Sequence, residues 1–383
     1  MKVKNPNYLN IKIPTWDVIP FLAAIKDKTG GNPKVKKSSY KKTGEIAIID
    51  QGQKFIGGYT NDDNLICNES LPCILFGDHN KIFKFINFPF ALGADGVKIL
   101  TPRDGFDKKF LFYYLKSLRF PDDVGYSRHY KYLKEKFIVK PPFSEQKRIA
   151  AILDKADGIR KKREEALKLA DSFLRATFLE MFGDPVTNPK GWKDAKLGDF
   201  IHSAKDGPHI SPKYSESGIP FLSTRHVKHG KIIWEDLKYI SRIEAEKQWK
   251  KCKPEKGDIL YTKGGTTGIA AVFDSDREIA VWVHVALLKA NYDKVDSVWL
   301  ENMLNTAYCY AQSQRFTHGI TNQDLGLTRM VNIKMYSPPL DLQKKFSEIE
   351  KKLKNSMLKH LGSADQSGYL FNSLTQRAFR GEL

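Results

Sequence analysis

The sequence predicts an α+β chain: two β-rich domains, each followed by a long helix, with the two helices pairing as an antiparallel coiled coil. Three observations carry that expectation. One string is written twice, an apolar seam of helical period follows each copy, and short β-like runs precede each copy.

The duplicated string is Pro141-Pro142-Phe143-Ser144-Glu145-Gln146-Lys147-Arg148-Ile149, which returns as Pro338-Pro339-Leu340-Asp341-Leu342-Gln343-Lys344-Lys345-Phe346. A repeat at such distance marks a duplicated architecture. Proline has no amide hydrogen, so each Pro-Pro pair ends the strand before it. Ser144 and Asp341 then stand where N-caps are expected.

Behind the first copy, Ile149, Ile152, Ala156, Ile159, Ala166, Ala170 and Phe173 recur at three- and four-residue steps, one stripe of a helix. Behind the second, Phe346, Ile349, Leu353, Leu370 and Leu374 fall on the same count, with Gly368 loosening the stretch. So long a stripe stays exposed on a lone helix, which is why the two are expected to pair.

Ahead of the helices lie β-like runs bounded by turn residues. The first segment offers Glu45-Ile46-Ala47-Ile48-Ile49, Pro72-Cys73-Ile74-Leu75-Phe76 and Gly96-Val97-Lys98-Ile99-Leu100. The second offers Gly257-Asp258-Ile259-Leu260-Tyr261, Ile269-Ala270-Ala271-Val272-Phe273 and Ile279-Ala280-Val281-Trp282-Val283. A helix-like stretch closes each, at 107–118 and 298–315. The expected boundaries are 1–143, 144–184, 185–339 and 340–383.

Lys and Arg outnumber Asp and Glu by 63 to 44, a formal net charge of +19 in 383 residues. Such a field attracts polyanions, and neutralising phosphates releases counterions, so nucleic acid is the first partner to consider. A hydrophobic content of 41% excludes disorder on a large scale. No apolar run reaches the roughly 18 residues a membrane helix needs. The start, MKVKNPNYLNIKIPTW, lacks the apolar core of a signal peptide. A cytoplasmic protein with no membrane partner is expected. Cys67, Cys73, Cys252 and Cys309 form no C-x2-C pair and complete no zinc spacing with histidine. They are expected as reduced, buried thiols, with no metal.

Two dissimilar β-rich domains, each followed by a helix opening with Pro-Pro-x-x-x-Gln-Lys, resemble the specificity subunit of type I restriction–modification systems. Phe379-Arg380-Gly381-Glu382-Leu383 resembles that family's ending, and Met181-Phe182-Gly183-Asp184-Pro185 its central junction. Trp192-Lys193-Asp194-Ala195-Lys196-Leu197-Gly198-Asp199 resembles the opening of a target-recognition domain. Gly257-Asp258-Ile259-Leu260 followed by Gly264-Gly265-Thr266-Thr267-Gly268 resembles that domain's strand and glycine loop. Gly44-Glu45-Ile46-Ala47 followed by Asp50-Gln51-Gly52-Gln53 is expected at the same place in the first domain. The resemblance implies that 1–143 and 185–339 are target-recognition domains, each reading half of a split double-stranded DNA target. The helices at 144–184 and 340–383 are implied to act as spacer and to dock two modification (methyltransferase) subunits, which carry the S-adenosylmethionine chemistry. Restriction (translocase/endonuclease) subunits join that assembly. The chain itself is then non-catalytic and needs no cofactor.

Phosphates call for basic groups and base edges for amides, guanidinium groups or hydroxyls. In the first domain those requirements select Lys34, Lys36, Lys37, Ser39, Tyr40 and Lys41, then Gln51 and Gln53, then Arg128 and His129. In the second they select Arg225, His226, Lys263, Thr266, Thr267, Arg315, His318, Thr321, Asn322 and Gln323.

Enzymatic readings fare worse. A self-contained adenine methyltransferase grips a flipped base with an Asp/Asn/Ser-Pro-Pro-aromatic motif; Lys140 is the wrong first residue in one copy and Leu340 is not aromatic in the other. No Gly-Lys-Ser/Thr closes the glycine loop into a phosphate cradle. The aromatic signature of a common RNA module is missing. The alternative from another class is a coiled-coil assembly adaptor without sequence-specific DNA binding.

Overall fold

The computed structural model describes residues 16–93, 96–120, 128–319, 323–361 and 364–383. The segment 1–15, with the start read above, lies outside them, as do the candidates Thr321 and Asn322. The chain divides into two compact units, Met1–Ala166 with Leu361–Leu383, and Leu167–His360.

In the first unit Asp17–Pro20 pairs antiparallel with Phe137–Lys140, bringing the two ends of the β-rich segment together. An antiparallel sheet runs in the order Ile25–Asp27, Val97–Pro102, Cys73–Gly77, Phe83–Ile86. A mixed sheet runs Lys34–Val35, Phe90–Gly93, Ile46–Ile49, Gly58–Thr60. Ile46–Ile49 is buried along its whole length, as its unbroken apolar run and its parallel pairing with Phe90–Gly93 require. The helix Lys108–Ser117 is capped by Asp107, whose carboxylate accepts from the amides of Lys109 and Phe110.

The second unit repeats this plan. Lys193–Lys196 pairs with Lys334–Ser337. The antiparallel sheet runs Ile201–Asp206, Val285–Ala290, Ile259–Thr262, Ala270–Val272. The mixed sheet runs Tyr214–Ser215, Lys238–Ile240, Ile219–Leu222, Ala280–Val281. Asp296 caps Ser297–Leu304 as Asp107 caps its counterpart.

Pairing thus corrects one expected equivalence. Cys73–Gly77 and Ile259–Thr262 are each the inner strand whose edge neighbour is the next strand in the chain. Ile46–Ile49, expected to match Ile259–Thr262, instead matches Ile219–Leu222, with one parallel and one antiparallel neighbour. Both are short apolar runs leading into polar loops, and composition does not say which partner such a run takes.

The first long helix spans Phe143–Phe182, and the second copy is described as Leu340–Leu361 and Ala364–Arg380. Both open two residues before the start that a cap at Ser144 or Asp341 implies, so these two lie in the first turn and are not caps. The amides of Gln146 and Gln343 bond Pro142 and Pro339 carbonyls instead. The duplicated glutamines do a different job. Gln146, fully buried, accepts from the Asp107 amide at 2.9 Å and donates to the carbonyls of Gly105 and Pro141 at 3.0 and 2.9 Å. Gln343, also fully buried, accepts from the Asp296 amide at 2.9 Å and donates to Pro338 at 2.9 Å. Each therefore locks a long helix to the capped helix of its own unit.

Within the first unit, Ile149 and Leu153 share a core with Phe371, Ala378 and Phe379, the last set edge-on to Tyr114 at 5.1 Å. Within the second, Phe178 and Phe182 pack on Phe346 and reach Trp299. The start of the first helix thus meets the end of the chain and its end meets the start of the second helix, an order consistent with antiparallel pairing. The seam is not the expected one throughout. Ile159 and Phe173 are about half exposed, whereas Leu153, Phe178 and Phe182 are buried. Burying one such side chain contributes about 1.5–3 kcal/mol.

Candidate nucleic-acid interface

In both units one residue at the end of the inner antiparallel strand gathers three loops. In the first unit it is Asp78, whose amide donates to the Gly96 carbonyl at 2.6 Å and whose carbonyl accepts from the His129 amide at 2.7 Å. In the second it is Lys263, whose amide donates to His284 at 2.8 Å and whose carbonyl accepts from Leu325 at 2.7 Å. These backbone bonds need no particular side chain, so the scaffold stays constant while the loop sequences vary.

Around Asp78 the first unit assembles several expected candidates. The Asp78 carboxylate accepts from the Tyr130 amide at 2.7 Å. Gln51 accepts from the His79 amide at 3.3 Å, and its own carbonyl accepts from the Asn80 side chain. Tyr40 Oη and the Asp50 Cβ both abut Gly93, where any side chain collides with them. Lys37 and Ser39 lie on the 3-10 turn Lys37–Ser39, next to Lys36, and all three are exposed. Lys34 opens the strand Lys34–Val35, and Lys41 bridges Tyr59. Gln53 and Arg128 are exposed, whereas His129 is buried against Phe120. Burial lowers the His129 pKa, which favours a neutral packing role.

Around Lys263 the glycine loop meets the segment after the helix Ala307–Phe316. Thr267 Oγ1 lies 2.9 Å from Thr317 Oγ1, and Gln314 donates to the Thr267 carbonyl at 3.1 Å. The Gly265 amide donates to the Gln323 carbonyl at 3.0 Å, and His318 and Asp324 exchange backbone bonds. Thr266, Arg315, His318 and Gln323 are exposed on this rim. Thr267 is buried.

The Lys263 side chain is buried too. Its ammonium sits 2.9 Å from Asp324 and 3.3 Å from Asp206, which in turn takes Lys251 at 2.6 Å. Burial alone raises the Asp206 pKa, but Lys251 and Lys263 outweigh it and hold the carboxyl below its usual range. The ion pairs tie three segments together and leave Lys263 a positioning role.

Arg225 and His226 lie on another turn, Thr224–His226, which follows the counterpart of the strand leading into Gln51. Arg225 is exposed and donates to the Asp236 carbonyl; His226 is buried, its Nδ1 accepting from the Ser223 amide at 2.9 Å. Burial, reinforced by Arg225, lowers the His226 pKa.

Sequence reasoning missed Asp206, His209, Trp282 and His284. The Trp282 and His284 rings stack at 6.3 Å beside the glycine loop, and Gly264 has no room for a side chain against His284. The residue after each inner strand, once the strands are matched by pairing, points to these loops. Among the described residues no group of His, Cys, Asp and Glu is arranged to hold a metal ion, and no helix is long and apolar enough to cross a membrane.

Residues 189–362 match the family model described as type I restriction modification DNA specificity domain. The chain is similar to the type I restriction enzyme specificity subunits. It is 22% identical to the MjaVIII specificity subunit of Methanocaldococcus jannaschii, over 76% of this chain and 74% of that one. It is 21% identical to the EcoBI specificity subunit of Escherichia coli, over 80% and 72%. The crystal structure of the S subunit from M. genitalium has the same fold, with a TM-score of 0.65 at 16% identity, covering 98% of this chain and 99% of that one. Specificity subunits are the non-catalytic components of these systems.

Proposed function

We propose that the two units each read one half of a bipartite double-stranded DNA target. On this reading the spacer helices set the distance between the halves and dock two modification subunits, with restriction subunits joining in the cytoplasm. The observation that carries the reading is the repeated junction at Asp78 and Lys263, where one backbone scaffold gathers three chemically different loops in each unit. Alike frames with unlike loops are what two readers of unlike sequences require.

Exposed Lys36, Lys37, Arg128 and Arg315 supply phosphate contacts, which fix register but carry no sequence information. Gln53, Arg225, Thr266, His318 and Gln323 offer groups that match base edges. Ser39, Tyr40, Lys41 and Gln51 belong to the same loops, and Lys34 opens the strand before them. Buried His129, His226, Lys263 and Thr267 shape the loops from beneath.

Selection from randomised duplexes, with and without the modification subunit and at two salt concentrations, tests this. Enrichment of two short motifs at one spacing is expected. Salt-sensitive binding without sequence preference, even with the partner, points to the assembly adaptor.

A further inference from the structure

Phe83–Ile86 reads Phe-Lys-Phe-Ile, and its side chains alternate between two faces. Ile86 lies on the face that joins a core with Ile49, Phe90 and Leu92. Lys84 shares that face, where the alternation calls for an apolar residue, and it is 4% exposed. Its ammonium donates all three of its hydrogens to backbone carbonyls of one loop: Asp50 at 2.7 Å, Lys54 at 2.6 Å and Phe55 at 3.2 Å. The Asp50 carboxylate stands 3.9 Å away, and its Oδ1 also accepts from the Gly52 amide at 2.8 Å. Burying an ammonium is costly unless it is fully bonded, so this arrangement persists only as a unit. The loop it closes leaves Gln53, Lys54 and Phe55 exposed, and Phe55, a large apolar ring, is 47% exposed. Among its described residues the second unit shows no such buried ammonium under a loop of its own and ties its loops through Lys263.

We propose that Lys84 is the positioning residue of the first unit's recognition loop, holding residues 50–55 in the shape that presents Gln53 and Phe55 to the first half of the target. The proposal rests on the reading that each unit reads one half-target. Lys84 itself touches no base. Gln53 offers an amide to a base edge, and Phe55 offers an apolar surface of the kind that meets a thymine methyl.

The test repeats the duplex selection with the full chain and its modification subunit, comparing wild type with Lys84→Met, Gln53→Ala and Phe55→Ala. Amide exchange of the 50–57 segment is followed alongside. Lys84→Met is expected to speed that exchange and to lower discrimination in one half-motif by about tenfold, the loss expected for one base contact. Lys263→Met is expected to affect the other half alone. Each variant's unaffected half reports that the chain has folded. If Lys84→Met does not fold, the two exposed-residue variants decide: loss in one half supports the proposal, and an unchanged motif overturns it. An unchanged motif with unchanged loop exchange in Lys84→Met also overturns it while leaving the two-unit reading intact. A wild-type chain that selects no motif overturns both.

Discussion

Replacing Gln343 with leucine keeps the side chain's approximate volume and removes both of its hydrogen bonds. The Asp296 amide and the Pro338 carbonyl, each 2.9 Å from Gln343, then face an apolar group at a position with no exposed surface. A buried polar group left without a partner costs about 1–3 kcal/mol, so two cost about 2–4 kcal/mol once the carbonyl's second lone pair is allowed for. Gln146→Leu strands the Asp107 amide and the carbonyls of Gly105 and Pro141, a loss at least as large. Against a typical domain stability of about 5–15 kcal/mol, either change is readily measured. Because the chain has two compact units, urea unfolding is best followed by hydrogen exchange of peptides from each. Gln343→Leu is expected to destabilise Leu167–His360 selectively, and Gln146→Leu the other unit. A loss below about 0.5 kcal/mol in both, the scale of an ordinary surface change, refutes the reasoning.

Other consequences are equally open to measurement. Glu301 is buried beneath the helix Leu340–Leu361, and burial raises its carboxyl to about 7. A raised acid pKa means the folded state holds a proton that the unfolded state has released. Stability therefore falls as pH rises from the ordinary carboxylate range to about 7. Glu301→Gln removes that penalty, so its advantage over wild type grows to about 3 kcal/mol by pH 8; denaturant melts at pH 5 and pH 8 showing the same difference contradict this. Cys73, Cys252 and Cys309 are buried with thiols pushed up to about 12, so a thiol reagent labels them only as the units unfold; fast labelling of the native chain contradicts their placement. Arg225→Ala is expected to weaken discrimination at one position of the second half-motif by about 1–3 kcal/mol. Lys37→Ala should weaken all duplexes alike and flatten the salt dependence. Competition titrations distinguish these two patterns.

The duplication made much of the architecture legible. A Pro-Pro pair, a conserved spacing to glutamine within the chain's own two copies and an apolar period are local signals that survive without knowledge of tertiary contacts. The paired sheets were harder to read. Ile46–Ile49 and Cys73–Gly77 are both apolar runs, and only their partners reveal which of them corresponds to Ile259–Thr262. The candidate site suffered from the same ambiguity. A lysine in a glycine loop reads as a phosphate contact, yet Lys263 is enclosed by Asp206 and Asp324, residues far from it in sequence. Lys84 drew no notice in the sequence, because its acceptors come from a loop some thirty residues earlier. The exposed helix residues Ile159 and Phe173 show the converse error, since period alone does not say how far along a seam the partners extend.

On the proposed function, two units read two half-targets held at a fixed distance. Binding should be measured to duplexes that carry both selected half-motifs separated by spacers varied one base pair at a time. A sharp maximum at one spacer length is expected, with affinity falling on either side towards that of a single half-motif. Affinity independent of spacer length contradicts it.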